Sequence, residues 1–320
     1  MKKMIAVILV LALTIALTAC STGGESGADT TAAPDASGEK ITVGVSFMTL
    51  NSPFFEAMQR GVQEEADSSG VEAVISDAQL NSAQQISSVE NLIAQKVDVI
   101  LLNAVDSKAV VPAVEAANEA GIPVICLDVM AEGGEVAAFI ASNNVAAGEM
   151  GGEYIAEQLG GKGSVVILDG PPISSFQDRA KGFENALANY PDIEIVQHIN
   201  AVENSMTAFV SAADNILSAH PDLDAVLAVN DYGSIAVESA VESAAKDFDV
   251  ISLGVDGMED AVNAIVNGDI VAGSVAQQPA EMGRIGIQTA IKLANGESVD
   301  ETIDVPLKLL TEENAEGFSW

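Results

Sequence analysis

Polar side chains follow several apolar runs of this sequence at the points where the runs end. Asp128 follows the run PVICL, and no cationic residue stands beside it. A buried carboxylate without a partner costs several kcal/mol, so Asp128 must face water or hold a partner from elsewhere. Carboxylates accept hydrogen bonds, while amides both donate and accept them, so such positions suit the binding of a polar ligand. The same pattern recurs at Ser46, Asp77, Asn103, Asn230, Asp231, Asp256 and Gln277.

The elements that carry these residues alternate between two kinds. From Ile41 onward, short β-branched runs such as ITVGVS, VDVILLN and DAVLAVN are separated by longer stretches of helical period. Strands that are apolar on both faces and separated by helices are typical of a parallel sheet covered on both sides. This unit of one strand and one helix repeats too often for one sheet of ordinary size. The pattern therefore predicts an α/β fold of two doubly wound lobes, with a boundary near residues 141–144.

The position of the polar residues predicts a binding crevice. In open parallel sheets, ligands bind outside the carboxyl ends of the strands, so the strand ends of two lobes would face one crevice. The alternative is that Asp and Asn at strand ends only start turns or cap the next helix. Capping does not require Gln277 or Asn103, and the set as a whole favours the crevice.

The sequence lacks the motifs that are typical of catalytic or metal-binding sites. It contains no serine-hydrolase elbow and no paired His/Cys ligands, and His198 and His220 are its only histidines. The segment 160–164, GGKGS, precedes its strand and lacks the spacing of a phosphate loop. Asp128 and Asp256 as a carboxylate pair for glycoside hydrolysis remain an alternative that nothing in the sequence supports. We expect a protein without catalytic residues, metal or cofactor.

The net charge of the chain limits the classes of partner that it can bind. The chain has 47 acidic and 13 basic residues and a formal net charge of −34. This charge repels phosphate backbones and anionic lipid headgroups, so we expect no nucleic-acid partner.

The first forty residues have the features of an export signal. Lys2 and Lys3 precede an apolar run at 4–17, which is followed by LTAC ending at Cys20. LTAC resembles a bacterial lipoprotein box, in which the cysteine becomes lipidated. We expect a signal peptide at 1–19, a lipid anchor on Cys20 and a flexible linker over 20–39, with the protein exported and held at the outer face of the bacterial cell membrane. An ordinary signal peptide cut near Ala19 is the alternative. Cys126 then has no cysteine partner and is expected to be a core residue.

Motifs along the chain from about Lys40 to Leu310 resemble those of one family. They are NSPFF at 51–55, LLNAVDS at 101–107, IPVICLD at 122–128, IASNNVAAG at 140–148, RAKGF at 179–183, AVND at 228–231, GVDG at 254–257 and VAQQP at 275–279. They resemble the periplasmic-type sugar-binding proteins that feed ABC importers, with the ribose-binding proteins most similar. The resemblance implies two lobes joined by three hinge strands, with crossings near Asn143, Gln278 and Pro306. The N-terminal lobe would comprise 41–143 plus 278–306, and the C-terminal lobe 144–277 plus 307–320.

The resemblance also implies a site and a function. The sugar-facing residues would be Ser52, Phe54, Phe55, Asn103, Asp128, Arg179, Asn230, Asp256 and Gln277. Carboxylates and amides would hydrogen-bond the hydroxyls, and the aromatic faces would cover the ring. The implied protein is a monomer that binds a monosaccharide or polyol and delivers it to the permease subunits of an ABC importer. One alternative is a sensor that docks on a signalling receptor. Another is a transcriptional regulator, but the signal segment occupies the place of its DNA-binding headpiece.

Two positions depart from the ribose-binding pattern. Val129 stands where the family has an arginine, and Asn204 stands where it has an aromatic wall residue. A site that loses a cationic donor and gains an amide discriminates differently among ligands. We predict that D-ribose is not the best ligand.

Overall fold

The computed structural model describes residues 40–244, 248–268 and 270–320. The predicted signal peptide, the lipidated Cys20 and the linker lie outside the described residues.

The described residues form alternating strands and helices. The strands are β1 (Thr42–Phe47), β2 (Glu72–Asp77), β3 (Val99–Leu102), β4 (Val124–Leu127), β5 (Ala138–Ser142), β6 (Lys162–Asp169), β7 (Asp192–Asn200), β8 (Ala225–Ala228), β9 (Ile251–Asp256), β10 (Val271–Ala276), β11 (Thr302–Val305) and β12 (Lys308–Leu310). The helices are α1 (Pro53–Ser69), α2 (Ser82–Gln95), α3 (Val111–Glu119), α4 (Asn144–Gln158), α5 (Ser174–Leu187), α6 (Met206–Ala219), α7 (Asp231–Ser243), α8 (Glu259–Asn267) and α9 (Pro279–Ala294).

The strands form two six-stranded sheets, one in each lobe. The first has the order β11-β5-β4-β3-β1-β2 and the second β12-β10-β9-β8-β6-β7. Among the described strands, only β12 runs antiparallel to its neighbour, β10. The central strands β3, β4 and β8 are buried along their whole length, as expected for a sheet covered by helices on both faces. The predicted fold class of two doubly wound α/β lobes is confirmed.

Three strands were absent from the strand pattern identified in the sequence. β5 follows β4 without an intervening helix, so the alternation of strand and helix gives no signal for it. β11 and β12 are edge strands of four and three residues, and each buries fully only its last residue. Short, partly exposed strands lack the apolar run by which the others were recognised.

Over the residues that the structure describes, the main chain passes between elements that belong to different sheets at three points. Asn143 lies between β5 of the first sheet and α4, which packs on β8, β9 and β10 of the second. Gln278 lies between β10 and α9, and its Nε2 donates to the carbonyl oxygen of Pro306 at 2.8 Å. Pro306 lies between β11 and β12. The residue limits of the two lobes stay a prediction.

Helix packing in the second lobe depends on two glycines. A Cβ atom on Gly148 in α4 would lie 2.0 Å from the carbonyl oxygen of Arg179 in α5. A Cβ on Gly182 would lie 2.1 Å from the carbonyl oxygen of Val145. The two backbones can approach this closely only because neither residue has a side chain. This approach brings Arg179 within reach of the first turn of α4.

None of the helices in the described part of the chain combines the length and apolar character needed to cross a membrane.

Candidate ligand-binding cleft

A cavity of about 390 Å³ opens between the carboxyl ends of the strands of the two lobes. Residues from both lobes line it. Eight of the nine residues predicted from the sequence are among them, namely Ser52, Phe54, Phe55, Asp128, Arg179, Asn230, Asp256 and Gln277.

Asn103 is the predicted site residue that does not line this cavity. Its side chain is 1% exposed and lies behind the cavity wall. Its Nδ2 donates to the carbonyl oxygen of Leu127 at 3.1 Å, and its Oδ1 accepts from the main-chain N–H of Met48 at 3.2 Å. The Asn103 side chain also opposes the rise in the pKa of Asp128 that burial causes. Its hydrogen bonds place Asn103 between Met48, which follows β1, and Leu127, which ends β4.

The two residues that supply the cavity carboxylates have unusual backbone conformations. Asp128 has a φ of 62° and Asp256 a φ of 134°, and both are non-glycine residues. Such conformations cost free energy and persist where the surrounding structure imposes them. The main-chain N–H of Asp128 donates to Ile140, and the carbonyl oxygen of Asp256 accepts from Gln277. Strain at both strand ends that supply a carboxylate to one cavity is typical of a functional site.

Arg179 supplies the cationic group of the cavity. Its side chain is 4% exposed. Its Nη1 lies 3.1 Å from Oδ1 of Asp256 and 2.8 Å from the carbonyl oxygen of Val229, and its Nε donates to Oδ1 of Asn144 at 2.9 Å. The guanidinium also lies over the ring of Phe176 at 5.8 Å from the centroid. Arg179 is therefore held in place by the protein before any ligand binds.

Gln277 presents a buried acceptor without a protein partner. Its Nε2 donates to Oδ1 of Asp256 at 2.7 Å, which directs Oε1 away from that carboxylate. Oε1 is buried, and no donor among the described residues reaches it. An unpaired buried acceptor is costly, so a ligand donor at this point would recover the lost hydrogen bond.

The side chain of Asn230 caps a helix, whereas the side chain of Ser52 does not. Oδ1 of Asn230 accepts from the main-chain N–H of Gly233 and caps α7, while Nδ2 donates to Oδ1 of Asn204 at 2.9 Å. Asn230 thus caps a helix and also lines the cavity. Ser52 precedes α1, but its hydroxyl makes no capping hydrogen bond.

Three other strand-end residues from the sequence do not line the cavity. Ser46 is fully buried, and its hydroxyl oxygen accepts from Nε2 of Gln85 at 3.4 Å. Oδ1 of Asp77 accepts from the main-chain N–H of Gln79 at 2.8 Å, so this residue forms a turn. Asp231 is fully buried and accepts from the main-chain N–H groups of Gly257 and Met258. It thereby fixes the loop that follows Asp256.

Aromatic side chains line the cavity in two groups. The rings of Phe54 and Phe55 pack edge to face at 5.3 Å, and Phe54 meets the ring of Trp320 at 5.9 Å. Phe176 and Tyr232 come from the second lobe. The prediction that at least Phe54 faces the crevice agrees with this arrangement.

Several lining residues were missed in the sequence. Phe176 lies three residues before Arg179 on α5, so helical spacing from the arginine could have indicated it. Thr49, Asn51, Pro53, Leu80, Ser175, Tyr232, Met258 and Trp320 also line the cavity and carried no comparable signal. Of the two departures from the ribose pattern, Asn204 lines the cavity, whereas Val129 packs against the first lobe's core.

Burial changes the acidity of the cavity carboxylates. Burial raises the pKa of Asp128 to about 6, and Asp256 adds to this rise, while Arg179 and the hydrogen bond from Asn103 oppose it. Burial also raises the pKa of Asp256, against the opposing effects of Arg179 and Gln277. Both carboxylates lack the full solvation of water, so ligand hydroxyl donors would stabilise their ionised forms.

Two α/β lobes around a cavity of fixed hydrogen-bonding groups define a two-lobed binding protein of the kind that closes over a small solute. Residues 43–298 match the family model described as a periplasmic binding protein domain. The chain therefore belongs to the periplasmic binding protein family. This membership confirms the family predicted from the sequence and the expectation that the protein is not an enzyme.

Individual relatives cover nearly the whole chain. The chain is 39% identical over 315 residues to the ribose import binding protein of Bacillus subtilis, covering 98% of this chain and 100% of that protein. An ABC transporter solute-binding protein from Actinobacillus succinogenes, solved with bound D-allose, superimposes with a TM-score of 0.80 at 29% identity, covering 87% of this chain and 100% of that one. One from Bacillus halodurans, solved with bound myo-inositol, gives a TM-score of 0.76 at 31% identity over 87% of this chain and 96% of that one.

Proposed function

We propose that this protein captures a monosaccharide or similar polyol between its lobes and delivers it to the permease of an ABC importer. The observation that carries the proposal is the buried Oε1 of Gln277, which has no partner among the described residues. It lies beside the Asp256 carboxylate, to which the Nε2 of the same side chain donates. A ligand with adjacent hydroxyl groups could donate to both acceptors.

The charge of the cavity supports an uncharged ligand. Its charged lining residues are Asp128, Asp256 and Arg179, and Arg179 is already paired with Asp256. An anionic ligand would meet the second carboxylate without a free cation to compensate it. Hydroxyls donate to carboxylates, and Phe54, Phe55 and Phe176 offer apolar faces for the C–H surface of a sugar.

The relatives support the ligand class without selecting one member. One is named for ribose import, and two related structures contain D-allose and myo-inositol. These compounds share neighbouring hydroxyls on a compact ring and differ in ring size and stereochemistry. Delivery to an importer rests on the same relatives, since their names place them in ABC transport.

The anchor is a separate part of the proposal. We infer lipidation of Cys20 from the order of the positive residues, the apolar run and LTAC. A lipid would hold the acidic chain at a membrane surface whose anionic headgroups repel it. Membrane fractionation of a Cys20→Ser variant tests this, because the variant should leave the membrane fraction and appear in the soluble exported fraction.

The ligand prediction is tested by calorimetric titration with D-ribose, D-allose, myo-inositol and xylitol. We expect at least one of them to bind at least tenfold tighter than D-ribose, about 1.4 kcal/mol. Because Val129 does not line the cavity, this expectation rests on Asn204, which presents an amide to the cavity.

Two different outcomes would contradict the proposed function and the ligand prediction separately. If none of the four compounds binds, the proposed function is wrong. If D-ribose binds most tightly, the function stands and the inference from Asn204 is wrong. D-ribose 5-phosphate adds a dianionic phosphate and its bulk and cannot form the pyranose ring, and it should bind far more weakly than D-ribose.

Binding should depend on pH because the pKa of Asp128 is raised to about 6. The ionised carboxylate is the better acceptor, so a bound ligand favours it and lowers its pKa. Above about pH 7 the affinity should be constant. Below pH 6 binding must first expel a proton, and affinity should fall by roughly tenfold per pH unit for one coupled proton.

Calorimetry at about pH 7.5 and pH 5 in buffers of different ionisation heat measures this change and the protons released. Asp128→Asn should bind weakly and remove the contribution of Asp128 to the pH dependence. Affinity that rises as the pH falls would show instead that the protonated carboxyl is the binding form.

A further inference from the structure

The segment 311–320 follows β12 and packs on the second lobe. Ala315 is fully buried in a cluster with Val262 and Ile265 of α8, and the ring of Phe318 packs against that cluster. The Nζ of Lys308 lies 5.0 Å from the centroid of the Phe318 ring. These contacts hold the segment at the edge of the cleft.

Trp320 extends from this anchored segment to the first lobe. Its indole Nε1 donates to the carbonyl oxygen of Asp256 at 3.1 Å, and its ring meets Phe54 of α1 edge to face at 5.9 Å. Its main-chain oxygen accepts a hydrogen bond from the guanidinium of Arg60, also on α1. One residue thus contacts both lobes at the mouth of the cleft.

The indole of Trp320 separates two cavities. It lines the ligand cavity, and it also lines a neighbouring cavity of about 830 Å³ between α1, α8 and the segment 317–320. A side chain in this position forms part of the wall of the ligand cavity. Its only polar atom is already bonded to Asp256, so the surface left for a ligand is the apolar ring.

We propose that Trp320 is a ligand-contacting residue that selects cyclic over acyclic polyols. This inference rests on the proposed function and adds a specificity determinant to the same site. The indole is held by the main chain of Asp256, whose carboxylate lies in the cavity. Because the same residue holds the indole and supplies the carboxylate, a ligand that donates to that carboxylate can reach the Trp320 ring. This ring packs edge to face on Phe54 and can cover the C–H face of the ligand. An acyclic polyol offers no rigid face and gains less from this wall.

The test is calorimetric titration of Trp320→Leu and Trp320→Phe with D-allose and with xylitol. Trp320→Leu should weaken D-allose binding at least about fivefold, because an aromatic contact is lost. The factor by which it weakens xylitol binding should be at least about threefold smaller. Trp320→Phe keeps an aromatic face but loses the N–H donor and the second ring of the indole, so it should lose less D-allose affinity than Trp320→Leu. Ser319→Ala is the matched control, since Ser319 is exposed and lines only the neighbouring cavity.

Fluorescence gives an independent readout, because Trp320 is the only tryptophan of the sequence. D-allose should shift the tryptophan emission of the wild-type protein with the same dissociation constant as calorimetry. Three results would each overturn the proposal while leaving the proposed function intact. They are an equal loss of affinity for both ligands, an equal loss of affinity in the Leu and Phe variants, and unchanged emission at saturation. If the wild-type protein binds none of the compounds, both fail together.

Discussion

Replacing Arg179 by methionine is expected to abolish measurable sugar binding and to lower the free energy of unfolding by about 3–5 kcal/mol. Arg179 is 4% exposed and pairs with Asp256, so its removal leaves a carboxylate buried without its cation. The pKa of Asp256 would then rise further, since Arg179 is the main group that opposes its rise. Urea denaturation and calorimetric titration measure the two effects.

Two further variants separate the causes. Arg179→Lys keeps the charge but cannot form all the bonds of the guanidinium to Val229, Asn144 and Asp256, so it should recover little binding. Adding Asp256→Asn to Arg179→Met removes the unpaired charge and should restore part of the stability without restoring binding. A single Arg179→Met variant with wild-type stability would show that the buried pair contributes nothing to the fold.

Replacing Asp256 by alanine is expected to weaken sugar binding by about 2 kcal/mol or more, roughly thirtyfold. Its Oδ1 accepts from both Arg179 and Gln277, so the substitution removes a ligand acceptor and releases two side chains that form the cavity. The fold should be retained at a lower free energy of unfolding, because the aspartate contributes little apolar packing but its loss leaves the buried Arg179 guanidinium without a carboxylate. Calorimetry and circular dichroism measure binding and folding.

Asp77→Ala is the matched control for this substitution. Asp77 also ends a strand, but its carboxylate accepts from the main chain of Gln79 and lies outside the cavity lining. Its loss should leave the affinity unchanged. If Asp256→Ala also binds normally, Asp256 is only a turn former like Asp77.

The contrast between these two aspartates shows what strand ends alone can indicate. Both follow a strand, and the sequence gives each the same weight. Capping a helix does not exclude a place in the cavity wall, because Asn230 caps α7 and lines the cavity at once. The position of a residue at a strand end therefore indicates the edge of the sheet on which it lies, and the neighbouring strands decide what its side chain meets.

The sequence by itself determined the two-lobed α/β class and four polar residues of the cavity lining, namely Asp128, Asn230, Asp256 and Gln277. Both depend on local patterns: apolar runs specify buried parallel strands, and the ends of parallel strands meet at one edge of a sheet. The resemblance added Ser52, Arg179 and the two phenylalanines, whose place in the cleft no local pattern showed.

Only the tertiary structure decided how these residues act together. Arg179 bonds residues that are 35, 50 and 77 positions away, and Trp320 reaches Asp256 from 64 positions away. Asn103 and Asp128 both end strands, yet Asn103 lies behind the wall and Asp128 lines the cavity. Burial, pairing and the direction of a side chain depend on what other segments place beside it, and periodicity along the chain carries no information about those neighbours.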